Sequence, residues 1–155
     1  CPLRFTGETV DSESSAIVAS TELTRIVTRS PFAVQRPQPC AILGSSWSSV
    51  TKKVATISGV YDLLQVTPSA SSVDLDNMGE YPLFARTHPS DAAMAELGVA
   101  YFAETMAVQY FGLLYVDNGF GTSYKKEVLD VAVGRYGMIV ESASFRPDAD
   151  QDEIR

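Results

Sequence analysis

The sequence runs to 155 residues, of which 45% are apolar and 20% charged, with a formal net charge of -7. That is enough chain for one ordinary domain or two small lobes with a real core, and too apolar for a disordered tail. The acidic balance argues against a nucleic-acid backbone or an anionic membrane surface as the main partner, because both demand positive charge.

The opening stretch "CPLRFTGETVDSES" carries no basic, apolar leader, so the chain is expected to be a mature fragment. From about Glu13 to Val27, Ala16, Ala19, Leu23 and Ile26 recur at helical spacing. Ser12 is the expected N-cap, with Glu13 in the first turn, where the helix dipole favours negative charge. Three prolines then break regular structure in "RSPFAVQRPQP", and "CAILG" reads as a short strand buried on both faces. Val50, Val54, Ile57 and Tyr61 mark one face of a second helix. "LLQVTPSA" is the next strand, "SASSVDLDNMGEYP" a long polar loop, and "LFARTHP" a third strand-like run.

Asp91 opens a helix with Met94, Leu97 and Tyr101 on a common stripe. The stretch Leu97–Val116 approaches the length of a membrane span. It carries Glu104, Thr105 and Gln109 and changes midway from helical to strand-like, so it is expected to form a buried helix and then a buried strand, "YFGLLYVD". "NGFG" reads as a tight turn, Tyr124, Val128, Val131 and Arg135 as a helix face ending near Gly137, and "MIVESASF" as the last strand. Strands alternating with helices predict an α/β architecture with a mainly parallel sheet.

Ligands of such sheets bind at the edge where the strand-to-helix loops collect. "GSSWSSV" is one of these loops. The first turn of the following helix offers unpaired N–H groups and a partial positive charge, which small serines would let a carboxylate or phosphate approach. The plainer reading is that Ser48 or Ser49 simply caps the helix. "DNGFGTS" has the same form and resembles a truncated dinucleotide fingerprint, with Tyr124 where a third glycine would stand; a tight turn explains its glycines better. There is no G-x-S-x-G elbow, and the single histidine, His88, precedes a proline, so serine-hydrolase chemistry is not expected. Neither cysteine, Cys1 or Cys40, sits in a C-x-x-C pair, and no metal site or cofactor is expected. A Cys1–Cys40 disulfide, which would contribute roughly 4 kcal/mol in the loop-entropy model, and two unrelated thiols both remain open.

Taken in order, "AILGSSWSSV", "LLQVTPSASSVDLDNMGEYPLFARTHPSD" and "YFGLLYVDNGFGTSYKKEVLDVA" resemble the receptor-family ligand-binding region. This is the periplasmic-binding-protein type I module of class C G-protein-coupled receptors, natriuretic-peptide receptors and ionotropic glutamate receptor amino-terminal domains. The resemblance covers roughly Cys40 to Phe145. It implies a bilobed clamshell on the extracellular side of a membrane that closes on a small polar ligand such as an amino acid, without catalysis. A complete clamshell needs more chain than this. Residues 1–89 are therefore expected to form a portion of the first lobe and residues 90–155 the start of a second.

By the same resemblance, Ser48 and Ser49 would hold the ligand's α-carboxylate, Ser69 and Ser71 would supply a second hydroxyl loop, and Asp91 would meet the ammonium group. Phe120 would keep a stacking face without the family's hydroxyl, and Trp47 replaces a small residue. Arg86 is expected to anchor structure. The resemblance further suggests a homo- or heterodimer through the first lobe, with the Val50–Tyr61 face as a candidate interface, although core packing is the favoured reading of that face. Two other readings remain: a small α/β nucleotide- or phosphate-binding enzyme domain, and a scaffold whose cleft Trp47 and Phe120 fill.

Overall fold

The computed structural model of the chain describes residues 6–29 and 39–149. Four helices and five strands follow one another as α1 (Ala16–Thr28), β1 (Ala41–Leu43), α2 (Ser48–Val60), β2 (Leu64–Thr67), β3 (Phe84–Arg86), α3 (Asp91–Ala100), β4 (Tyr110–Val116), α4 (Gly119–Gly134) and β5 (Ile139–Phe145). All the pairings are parallel. β1, β2 and β3 form one sheet in that order, and β4 pairs with β5 along seven residues, from Tyr110 opposite Ile139 to Val116 opposite Phe145. The expected α/β architecture is what forms, as two sheets. Cys40 is exposed with a free thiol, and Cys1, its candidate partner, lies outside the described residues.

The first helix starts later than its pattern predicts. Glu13 and Ser14 hold φ at 52° and 56°, a left-handed conformation that cannot continue into a helix. Ser15, not Ser12, is therefore the N-cap, its Oγ accepting from the Val18 amide at 3.3 Å. α1 then lays Leu23 and Val27 on Val50, Val54 and Leu63, with Ile42 and Ile57 at the margin. Each fully buried side chain of this kind contributes about 1.5–3 kcal/mol. Val50, Val54 and Ile57 of the candidate Val50–Tyr61 face are thus core, covered by α1, while Tyr61 is exposed.

A second cluster joins Ala55, Ala70, Leu75, Tyr81 and Phe84. Its presence corrects the expectation of a purely polar loop after β2. Val73–Asp76 winds into a short 3-10 turn that drives Leu75 into the interior, and Tyr81 follows it.

The third cluster sits between α3, α4 and one face of the second sheet: Ala95, Val99, Val128, Ala132 and Met138, with Phe111, Leu113 and Val140 packed against it. The stripe expected to bury α3 is on the wrong side. Met94, Leu97 and Tyr101 are exposed, Leu97 by 74%, whereas Asp91, Ala95 and Val99 face inward. Two fully buried alanines, Ala95 and Ala132, allow α3 and α4 to approach closely, and that close packing outweighs the larger but poorly fitting side chains.

β1, expected to be buried on both faces, and β4, expected to be a buried strand, are half-buried on one face and open on the other. Leu43 and Leu64 are exposed on the first sheet, and Tyr110, Leu114 and Ile139 on the second. Among the described residues each sheet is covered by helices on a single face. The Leu97–Val116 stretch divides into the end of α3, a π-helical turn at Tyr101–Thr105 and β4. No helix of the described residues is long and apolar enough to cross a membrane.

Candidate functional site

The turn between β1 and α2 is where the serine-rich stretch lies. Gly44 adopts φ 109°, open to glycine and strained for other residues. α2 then begins at Ser48, with Trp47 at the N-cap position and no side chain accepting from the first turn. The capping reading for Ser48 and Ser49 is therefore overturned. Both serines lie inside the helix, and a carboxyl or phosphoryl group would find the first-turn N–H donors without a competing side-chain cap.

Ser48 is buried, and its Oγ accepts from the backbone N–H of Ser72 at 3.3 Å. That bond uses an acceptor lone pair and leaves the hydroxyl hydrogen to donate. Ser49 is exposed, and its Cβ lies 3.9 Å from where a side chain on Gly119 would start. In the second loop Ser69 is exposed and Ser71 buried. The Ser71 carbonyl accepts from the Asp91 N–H at 2.9 Å, so this loop joins the start of α3. Arg86 donates to the carbonyls of Ala70 (3.3 Å) and Ser72 (3.0 Å) and pairs with Asp76, an anchoring role in keeping with expectation.

Asp91 is the first residue of α3, with Ser90 at the N-cap position, so Asp91 is not itself the cap. It is 1% exposed, and its Oδ2 has no hydrogen-bond partner. A buried carboxylate oxygen left unpaired is costly, and a cation placed against it would offset that cost.

Phe120 was expected in a turn. α4 instead begins at Gly119, because the Asn118 side chain accepts from the N–H groups of Phe120 (3.0 Å) and Gly121 (2.9 Å). This cap fills the donors that a phosphate would require at a fingerprint turn, which weakens the nucleotide reading. Gly121 is needed there for close approach, since a Cβ would lie 1.9 Å from the Val116 carbonyl oxygen. The Phe120 ring stacks on Tyr124, with centroids 6.2 Å apart and planes 12° apart, and remains 44% exposed. Trp47 is 52% exposed. Both rings are open to solvent.

The fold thus brings Ser48, Ser71 and Asp91 into one hydrogen-bonded neighbourhood and sets Ser49 beside Gly119. Phe120 follows Gly119 in the chain, its ring stacked on Tyr124, and Ser69 is exposed. A cavity of about 420 Å³ opens next to this neighbourhood, with Lys52 and Asp74 on one wall and Gly119, Ser123, Lys126 and Glu127 on the other. The six candidate residues lie outside its lining. Lys52 Nζ pairs with Asp74 at 2.5 Å, and the Val73 N–H donates to Ser123 Oγ at 3.2 Å, tying the loop after β2 to α4. Sequence reading missed Lys52, Ser123 and the buried polar residues Thr51, Gln65 and Thr67 beneath the serine turn. A polar side chain at an inward strand position, such as Gln65 or Thr67, is the signal that could have found them.

The model of the receptor family ligand binding region matches residues 2–155. The chain belongs to this family. A probable metabotropic glutamate receptor of Caenorhabditis elegans is 31% identical over 97 residues, 60% of the chain and 10% of the relative. A metabotropic glutamate receptor of Drosophila melanogaster is 24% identical over 113 residues, 73% of the chain and 11% of the relative. The human extracellular calcium-sensing receptor is 27% identical over 119 residues, 77% of the chain and 11% of the relative. The chain therefore spans about a tenth of the length of these relatives. Its parallel strands and interleaved helices are a partial periplasmic-binding-protein-like α/β fold, resembling class C G-protein-coupled receptor ectodomains. It is a portion of a receptor family ligand binding region.

Proposed function

We propose that this module lies on the extracellular side of a membrane and senses a small polar ligand, an α-amino acid, by closure of two lobes, without catalysing a reaction. Residues 1–89 belong to the first lobe and residues 90–155 begin the second. The observation that carries the reading is Asp91, whose buried Oδ2 has no partner and which is joined through the Ser71 carbonyl to the serine-bearing loops.

The ligand's carboxylate lies at the first turn of α2, against the N–H groups and hydroxyls of Ser48 and Ser49. Its ammonium group pairs with Asp91, Ser69 and Ser71 supply further hydroxyls, and Phe120 offers a ring face from the other lobe. Charge-assisted bonds at both ends of the ligand would fix its orientation. Signalling requires tighter binding to the closed state than to the open one, since equal binding to both would shift nothing. Dimerisation through residues 1–89 belongs to the same reading, by a surface other than the α2 face that α1 covers. Titration calorimetry with a panel of L-amino acids tests the proposal. Saturable heat from at least one member, reduced at least about tenfold in affinity by Ser48→Ala, supports it. No heat from any member overturns it.

A further inference from the structure

Beneath the serine turn lies a buried polar group that the family's ligand contacts do not explain. Thr51, Gln65 and Thr67 are all fully buried, one on α2 and two on β2. Gln65 Nε2 donates to the Gly44 carbonyl at 2.8 Å. The hydroxyls of Thr51 and Thr67 both donate to the Ser45 carbonyl, at 2.9 and 2.5 Å. Thr67 Oγ1 also accepts from the N–H groups of Ser69 (3.4 Å) and Ala70 (3.3 Å) in the second hydroxyl loop. One hydroxyl therefore uses its donor on the first loop and its lone pairs on the second.

The direction of these bonds matters as much as their number. The carbonyls of Gly44, Ser45, Ala70, Ser71 and Ser72 are all committed to protein donors: Gln65, the two threonines, the Asp91 N–H and Arg86. Each of these five carbonyl oxygens is thereby held in place by a donor of the protein. The first-turn N–H groups of α2 are left without a side-chain cap. Fixed donors of this kind need no rearrangement when an anion arrives.

We propose that Thr67 is the positioning residue of this site: its hydroxyl locks the two serine-bearing loops in register and, with Thr51 and Gln65, turns the carbonyls of Gly44 and Ser45 away from the ligand. The inference rests on the carboxylate reading of the turn given above. It concerns the orientation of the loops and not contact with the ligand.

Labelled full chain is compared as wild type, Thr67→Val, Thr67→Ser and Thr51→Val by nuclear magnetic resonance. The carbonyl resonance of Ser45 reports its hydrogen bonding, and the amides of Ser48 and Ser49 report titration with L-alanine, a probe carrying little beyond the α-carboxylate and α-ammonium groups. Thr67→Val is expected to shift the Ser45 carbonyl and weaken L-alanine binding about tenfold, the equivalent of one lost hydrogen bond in a preorganised site. Thr67→Ser, which keeps the hydroxyl, should restore both to within about twofold. Thr51→Val removes the other donor to the same carbonyl, so it keeps the proposal testable if Thr67→Val does not fold. An unmoved Ser45 carbonyl in the folded valine variants overturns the positioning role. A moved carbonyl with no wild-type response to L-alanine overturns the amino-acid reading and leaves the loop geometry standing.

Discussion

Replacing Gly121 by alanine sets two well-characterised effects against each other. Gly121 lies in the first turn of α4, and helix propensity alone predicts that Gly121→Ala stabilises by up to about 1 kcal/mol. The structure predicts the reverse. A Cβ there would lie 1.9 Å from the Val116 carbonyl oxygen, 2.9 Å from its carbon and 3.0 Å from Val116 Cγ1. An ordinary C···O approach is about 3.3 Å, so α4 would have to retreat from β4 by roughly 1.4 Å. Two of the three blocking atoms are backbone and cannot rotate aside. Overpacking typically costs about 1–3 kcal/mol, and an immobile partner puts this site at the upper end, for a net loss of about 2 kcal/mol. For a chain of this size that lowers the melting temperature by roughly 4–8 °C.

Gly134, at the last turn of the same helix, supplies the control, because nothing lies within 4 Å of its added Cβ. Gly134→Ala should hold or raise stability by up to about 1 kcal/mol. Urea unfolding followed by circular dichroism measures both variants. A Gly121→Ala protein as stable as wild type would refute the close packing of α4 on β4, and with it the placement of Phe120.

Leu75→Ala should destabilise by about 2–5 kcal/mol in the same assay, as a buried core leucine rather than a residue of a solvated loop. Burial and then the hydrogen bond to Glu80 push the Tyr81 phenol up to about 12 from the usual 10.0. Because the folded state holds this proton more tightly, its contribution to stability is complete below pH 10 and is lost as the pH rises from there towards 12. In ultraviolet titration the difference between wild type and Tyr81→Phe should be one late-ionising phenol, and a difference that titrates near pH 10 would contradict the burial. Arg86→Met should speed amide exchange at Ala70–Val73, since Arg86 holds the Ala70 and Ser72 carbonyls; unchanged exchange there would mean that this clasp does not order the loop.

The order of elements was legible because Val50, Val54 and Ile57 repeat at helical spacing and the strands are short apolar runs between turn residues. What spacing does not carry is which face finds a partner. On α3 the larger side chains of Met94, Leu97 and Tyr101 suggested the buried stripe, yet Ala95 packs inward because Ala132 is small enough to meet it. Left-handed Glu13 and Ser14 displaced the start of α1, and Asn118 drew α4 forward by capping it, so Phe120 is helical. Periodicity is blind to both, since each depends on a single residue's backbone angle or side-chain bond.

At the site, the chemical types at Ser48, Ser71 and Asp91 were readable in sequence, while their connections were not. Ser48 meets the Ser72 N–H across 24 residues, and Thr67 bridges to Ser45 across 22. Bonds over such separations leave no local pattern. Thr67 looked like an ordinary strand residue until its hydroxyl was found between the two loops.

Asp91 provides the most direct measurement of the proposed function. Calorimetric titration of the amino-acid panel into wild type and Asp91→Asn compares a buried carboxylate with a neutral group of the same shape. The account predicts saturable wild-type binding that weakens at least about tenfold in Asp91→Asn, with no loss of folding. Equal affinity in the two proteins would mean that no ligand ammonium group reaches Oδ2, and the reading of this module as an amino-acid sensor would be contradicted.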